Sequence, residues 1–94
     1  MTTLDQIAGK IIKEQELIIG PVAWYEAKKV RGIHVIDQGS GTISIENGNA
    51  PDVINGLVMK YEDLFGRASR EVCRDAAAKL LGGLTPSEVP SSLR

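Results

Sequence analysis

From residue 4 onward the apolar positions recur at helical spacing. Leu4, Ile7, Ala8, Ile11 and Ile12 share one face, with Asp5, Lys10, Lys13 and Glu14 turned away. Thr3 predicts the start, because a threonine cap can accept from a first-turn amide while Gln6, three residues on, reaches back to the cap. The same periodicity resumes at Ile18, Ile19, Val22, Ala23, Ala27 and Val30. Pro21 interrupts it, since it lacks the amide that would bond the carbonyl of Leu17 and its ring crowds that turn. The expectation is a first helix kinked at Pro21, the alternative being a tight break with Pro21 opening a second helix. Gly32, behind Lys28, Lys29 and Arg31, is the expected stop: a left-handed cap after a cationic last turn.

The period then changes. Residues 33–36 are largely β-branched, and in residues 42–46 Ile43 and Ile45 alternate with polar residues, which predicts two strands. The loop between them, Asp37-Gln38-Gly39-Ser40-Gly41, has two glycines for positive φ, so the pair is a hairpin. Asn47-Gly48-Asn49 ends the second strand, and Asn49 caps a new helix with Pro51 in its first turn and Asp52 complementing the dipole. From Val53 to Leu81 helical spacing holds for some thirty residues, about 45 Å of unbroken helix. A compact chain of this length is narrower than that, so the helix must bend at Gly66 or protrude and pair with another chain. Gly82-Gly83 ends it, and residues 84–94, rich in proline, serine and threonine, read as a flexible tail.

These elements make an α+β fold in the order kinked helix, hairpin, long helix: one compact domain over residues 1–83 with a tail over 84–94. The chain has 94 residues, 43% of them hydrophobic, which is enough to fold as one domain and short enough to need good packing or a partner subunit. Two strands alone are marginal in water, so the hairpin must pack on helices, pair with a second hairpin across a two-fold axis, or both. A homodimer is the expected assembly.

Two segments superpose at an offset of 46 residues: Glu16-Leu17-Ile18-Ile19-Gly20-Pro21-Val22-Ala23 and Glu62-Asp63-Leu64-Phe65-Gly66-Arg67-Ala68-Ser69. Ala27 then matches Cys73. Gly20, Ala23 and Ala27 form one low ridge and Gly66, Ser69 and Cys73 another, and such ridges let two backbones approach closely, whether from two helices or two subunits. A chance placement of glycines among apolar residues is the simpler alternative. Trp24 lies beside the first ridge, where an amphipathic ring either caps the core or anchors a partner. Gly20, Ala23, Trp24, Ala27, Gly66, Ser69 and Cys73 are therefore the candidate interface residues.

The string Leu17-Ile18-Ile19-Gly20-Pro21-Val22-Ala23 resembles a motif of small helical modules that accompany receiver and kinase domains in bacterial signalling proteins. The resemblance covers about a quarter of the chain and implies a non-catalytic regulatory or docking role. It carries over only Gly20 and Pro21, as structural positions, and the hairpin departs from the all-helical form of those modules.

Charge and chemistry narrow the field further. Eleven basic and twelve acidic residues leave a net charge of −1, which argues against a broad footprint for nucleic acid or anionic membrane. Local basic groups remain at Lys28 to Arg31 and at Arg67, Arg70 and Arg74, interrupted by Glu71 and Asp75. Cys73 is the lone cysteine, so no disulfide or cysteine-based zinc site forms within one chain, which fits a reducing cytoplasm. The first ten residues lack a secretory pattern, and no apolar run reaches the roughly 20 residues a membrane helix needs. His34, the one histidine, has no liganding or orienting partner near it in sequence and reads as a surface residue. Glu14 with Glu16, and Glu62 with Asp63, read as solvated charge rather than an acid–base pair. Gly39-Ser40-Gly41 lacks the lysine and the helix of a phosphate loop.

The expected function follows by elimination: no enzyme, no cofactor and no metal, but a small regulatory or protein–protein interaction module in bacterial signal transduction, working in the cytoplasm as a homodimer. A ligand-sensing domain with a pocket between hairpin and helices is the alternative. Nucleic-acid binding comes third.

Overall fold

The structure, a computed structural model, describes residues 2–46 and 49–94. Two helices, α1 (Thr3–Ile19) and α2 (Val22–Ala27), precede a hairpin of β1 (Ile33–Asp37) and β2 (Thr42–Ile45). Helices α3 (Ala50–Phe65) and α4 (Ala68–Ala77) follow, then three 3-10 turns at Leu81–Gly83, Pro86–Glu88 and Ser91–Leu93. The fold is α+β and mostly helical. The Asn47-Gly48 turn that should end the second strand lies outside the described residues.

The expected kink at Pro21 is instead a complete break. Gly20 takes φ 79° and ψ −164°, a conformation nearly confined to glycine, and its N–H closes α1 on the carbonyl of Glu16 at 2.9 Å. Pro21 then stands at the cap of α2, where its missing amide costs nothing. The long helix breaks in the same way at Gly66, with φ 92° and ψ 177°. That break folds a potential 45 Å rod into a molecule whose longest dimension is 32 Å.

Capping details shift the first helix by one residue. Thr2, not Thr3, is the cap: its hydroxyl accepts from the Asp5 N–H at 3.1 Å, and Asp5, not Gln6, accepts from the Thr2 N–H at 3.3 Å. Helix α3 starts as expected, with the Asn49 side chain accepting from the Asp52 N–H at 3.4 Å and Pro51 in the first turn. Gly32 has positive φ, 96°, but α2 ends at Ala27, so it closes the connecting turn rather than the helix.

In the hairpin Ile33 pairs with Ile45, His34 with Ser44 and Val35 with Ile43, after which Ile36 bulges out before Asp37 meets Thr42. Of the two loop glycines only Gly41 has positive φ. The hairpin lies on α1 through β2. A Cβ on Gly9 would collide with the carbonyl oxygen of Gly41, so the absent side chain is what lets the turn rest on the helix. Lys13 Nζ donates to the Gly39 carbonyl at 3.1 Å, and Asp5 Oδ1 accepts from the outward N–H of Ile45 at 3.1 Å. The outer edge of β2 is thus occupied by α1, and a second hairpin could meet only the β1 edge.

Residues 84–94, expected as a flexible tail outside the domain, lie on its body. Asn55 Oδ1 on α3 accepts from both the N–H and the hydroxyl of Ser92, at 3.0 and 2.6 Å, and Pro90 and Leu93 are buried. The compact unit therefore extends past residue 83. Its core gathers Ile7, Ile11 and Ile12 from α1, Trp24 from α2, Ile43 from β2, and Ile54, Leu57, Val58 and Tyr61 from α3.

Candidate functional site

The 46-residue offset is present in the backbone. Each repeat is a helix, a positive-φ glycine and a second helix. Gly20 and Gly66 donate to Glu16 and Glu62 at 2.9 and 2.8 Å, and their carbonyls accept from Ala23 and Ser69 at 3.0 and 3.1 Å. The register extends far beyond the segments that superpose by eye. Ala8 and Ile54, Ile11 and Leu57, Ile12 and Val58, Ala23 and Ser69, and Ala27 and Cys73 are all buried at equivalent positions.

The two corners lock together reciprocally. Gln15 of the first repeat donates to the carbonyl of Ser69 in the second at 3.0 Å. Tyr61, 46 residues after Gln15, donates to the carbonyl of Ala23, 46 residues before Ser69, at 2.7 Å. Each long helix thus sends one buried donor into the first turn of the other repeat's short helix, as two subunits related by a two-fold axis would. Gln15 also reaches Cys73 Sγ at 3.4 Å.

This arrangement places the candidate interface residues. Ala23, Trp24, Ala27, Ser69 and Cys73 are buried within one chain, where the small residues let the corners approach. Gly20 and Gly66 stay at the outside of their turns, with no neighbouring atom where a Cβ would lie. Trp24 is 1% exposed, so its ring fills the core, and its indole N–H has no hydrogen-bond partner among the described residues. Sequence reasoning missed Gln15, because a glutamine on a helix reads as polar surface. Its equivalence to Tyr61 on the apolar stripe was the available signal.

The crossing is chemically quiet. Burial pushes the Cys73 thiol up to about 11, against the opposing effects of the Gln15 amide and the Arg70 guanidinium. Burial, with Cys73 and Glu26 nearby, raises Tyr61 above its ordinary value. Both groups hold their protons at neutral pH, so neither is a ready nucleophile or base. His34 is exposed on β1, and Gly39 to Gly41 form the hairpin turn. Among the described residues no group of three or more His, Cys, Asp or Glu is placed to hold a metal ion. Among them, too, no helix is long and apolar enough to cross a membrane. The basic groups are divided by acids: Arg70 pairs with Glu62 at 3.6 Å, Arg74 with Glu71 at 3.5 Å and Lys29 with Glu26 at 3.4 Å.

Two surface features remain. Large apolar side chains stand in solvent on the last turns of α1 and α3: Leu17 80% exposed, Ile18 64%, Leu64 50% and Phe65 40%. An open groove of about 650 Å³ lies between the base of the hairpin and α3, lined by Arg31, Gly32, Glu46, Asp52, Val53 and Gly56 among others. Compared with protein-family models, curated proteins and solved structures, the chain finds no match in any of the three.

Proposed function

We propose that this chain is a small non-catalytic interaction module of the regulatory kind, in bacterial signal transduction, working as a homodimer in the cytoplasm. The carrying observation is the exposure of Leu17, Ile18, Leu64 and Phe65 just before the two corner glycines. Ile18 and Leu64 occupy equivalent positions in the repeats, so the surplus apolar surface belongs to the architecture rather than to one stray side chain. A cluster of this kind marks an interaction surface. The small-residue ridges, by contrast, are already used within the chain. The resemblance of the first corner to signalling modules points the same way, to docking rather than turnover.

Sedimentation tests this reading. The protein should self-associate, and Ile18→Glu with Leu64→Glu should leave a folded monomer. A wild-type chain that stays monomeric at every concentration reached would overturn the homodimer.

The groove between hairpin and α3 supports a second reading, a ligand-sensing domain. Gly56 lies exposed inside α3, and a Cβ there would meet only Val30 at 3.6 Å, an ordinary contact. Packing does not require glycine at that position, although glycine weakens a helix interior by about 1 kcal/mol. The bare position keeps the groove open.

A further inference from the structure

Resting on the homodimer reading above, we infer that the second copy docks on the α3–α4 corner, with the last turns of the two α3 helices antiparallel about a two-fold axis. Arg67 of each chain then meets Asp63 of the other. The run Asp63-Leu64-Phe65-Gly66-Arg67 is its own complement when reversed: acid, two apolar residues, glycine, base. A two-fold axis centred on Phe65 sets Phe65 against its copy and Leu64 against the bare Gly66 of the second chain. No atom of the chain itself lies within 4 Å of where a Gly66 side chain would begin, so that position can receive a large residue.

Charge selects the same register. Asp63 and Arg67 are both exposed, and among the described residues neither has an ion-pair partner, whereas Glu62 and Arg70 beside them are paired with each other. The first corner offers no such complement: Glu16 is already paired with Lys13, and Gly20 is followed by Pro21 instead of a base. The contact is isologous, each chain giving the same patch. Leu17 and Ile18 widen it, with Ile18 lining a groove against Val72 of α4. The patch is small, so the dimer belongs among weak, concentration-dependent assemblies.

Charge exchange tests the register by sedimentation equilibrium. Asp63→Arg and Arg67→Asp each place two like-charged pairs across the axis and should raise the dissociation constant at least about tenfold. The double variant restores opposite charges and should return it to within about threefold of wild type. Both changes favour the local helices, a cation in the last turn of α3 and an acid at the start of α4, so circular dichroism should show the fold retained. Single reversals that leave association unchanged, while Ile18→Glu with Leu64→Glu abolishes it, would overturn this register and leave the homodimer standing. A wild-type monomer would overturn both.

Discussion

The two corners share a backbone and differ in almost every side chain that decorates it. Gly20 and Gly66 adopt the same left-handed, extended conformation and close the same hydrogen bonds. The donors that cross between the repeats are a glutamine in one and a tyrosine in the other. Trp24 fills the core from the first short helix, whereas Arg70 at the equivalent position turns to Glu62. What the pair has in common is the break, the small residues after it and one buried donor before it. Those three features are therefore the requirements of the crossing, and the rest is free to vary.

The sharpest way to break the equivalence is at the glycines. Gly20→Ala and Gly66→Ala each force a side chain into a backbone region that excludes it, at about 1–3 kcal/mol apiece. No atom waits where either Cβ would go, so the two losses should be equal in chemical denaturation. Unequal losses would show that the corners are alike only in shape. Alkaline pH should separate them instead. The second repeat carries Tyr61 and Cys73 where the first has Gln15 and Ala27, so only one side of the crossing can titrate. Cys73 in the folded chain is raised from 9.0 to about 11, so the folded state holds its proton longer than the unfolded one. Its contribution is complete below pH 9 and is lost as pH climbs towards 11, about 2 kcal/mol on this group alone. Cys73→Ala, which copies Ala27, should flatten that alkaline decline in urea titrations. An unchanged decline would assign it to Tyr61. The smallest effect concerns the grooves beside the repeats. Lys10 stands in one repeat where Gly56 stands in the other, and Gly56→Ala should raise stability by about 1 kcal/mol in thermal melts. A loss there would mean that the helix needs the bare position for its packing on Val30.

Much of this fold was legible in the chain. Helical spacing located the long helices, the alternation around Ile43 and Ile45 located the hairpin, and Asn49 with Pro51 marked the start of α3. Gly66 was identified as a place where a rod of about 45 Å had to yield. The corner at Gly20-Pro21 was harder, because proline inside a periodic run predicts a kink and a break equally well. Only the φ of Gly20, which sequence does not state, separates them. The residues after Gly83 misled through composition: proline and serine suggest a loose segment, yet one carboxamide on α3, Asn55, holds Ser92 and seats Leu93. At the crossing the small residues were visible as a ridge. The donors that tie it were not, because a buried polar residue is recognisable only when its partner is known, and Gln15 lies 54 residues from Ser69.

Asp5 has a consequence beyond its helix. The strands Ile33–Asp37 and Thr42–Ile45 are short, β-branched and low in charge, the composition from which fibrils grow by edge-on addition. One carboxylate, with one oxygen on the cap of α1 and the other on the Ile45 amide, occupies a site where an incoming strand would start to zip. The protruding Ile36 disturbs the opposite margin. Between them, a single acid and one surplus residue keep a sticky ribbon soluble without adding a third strand.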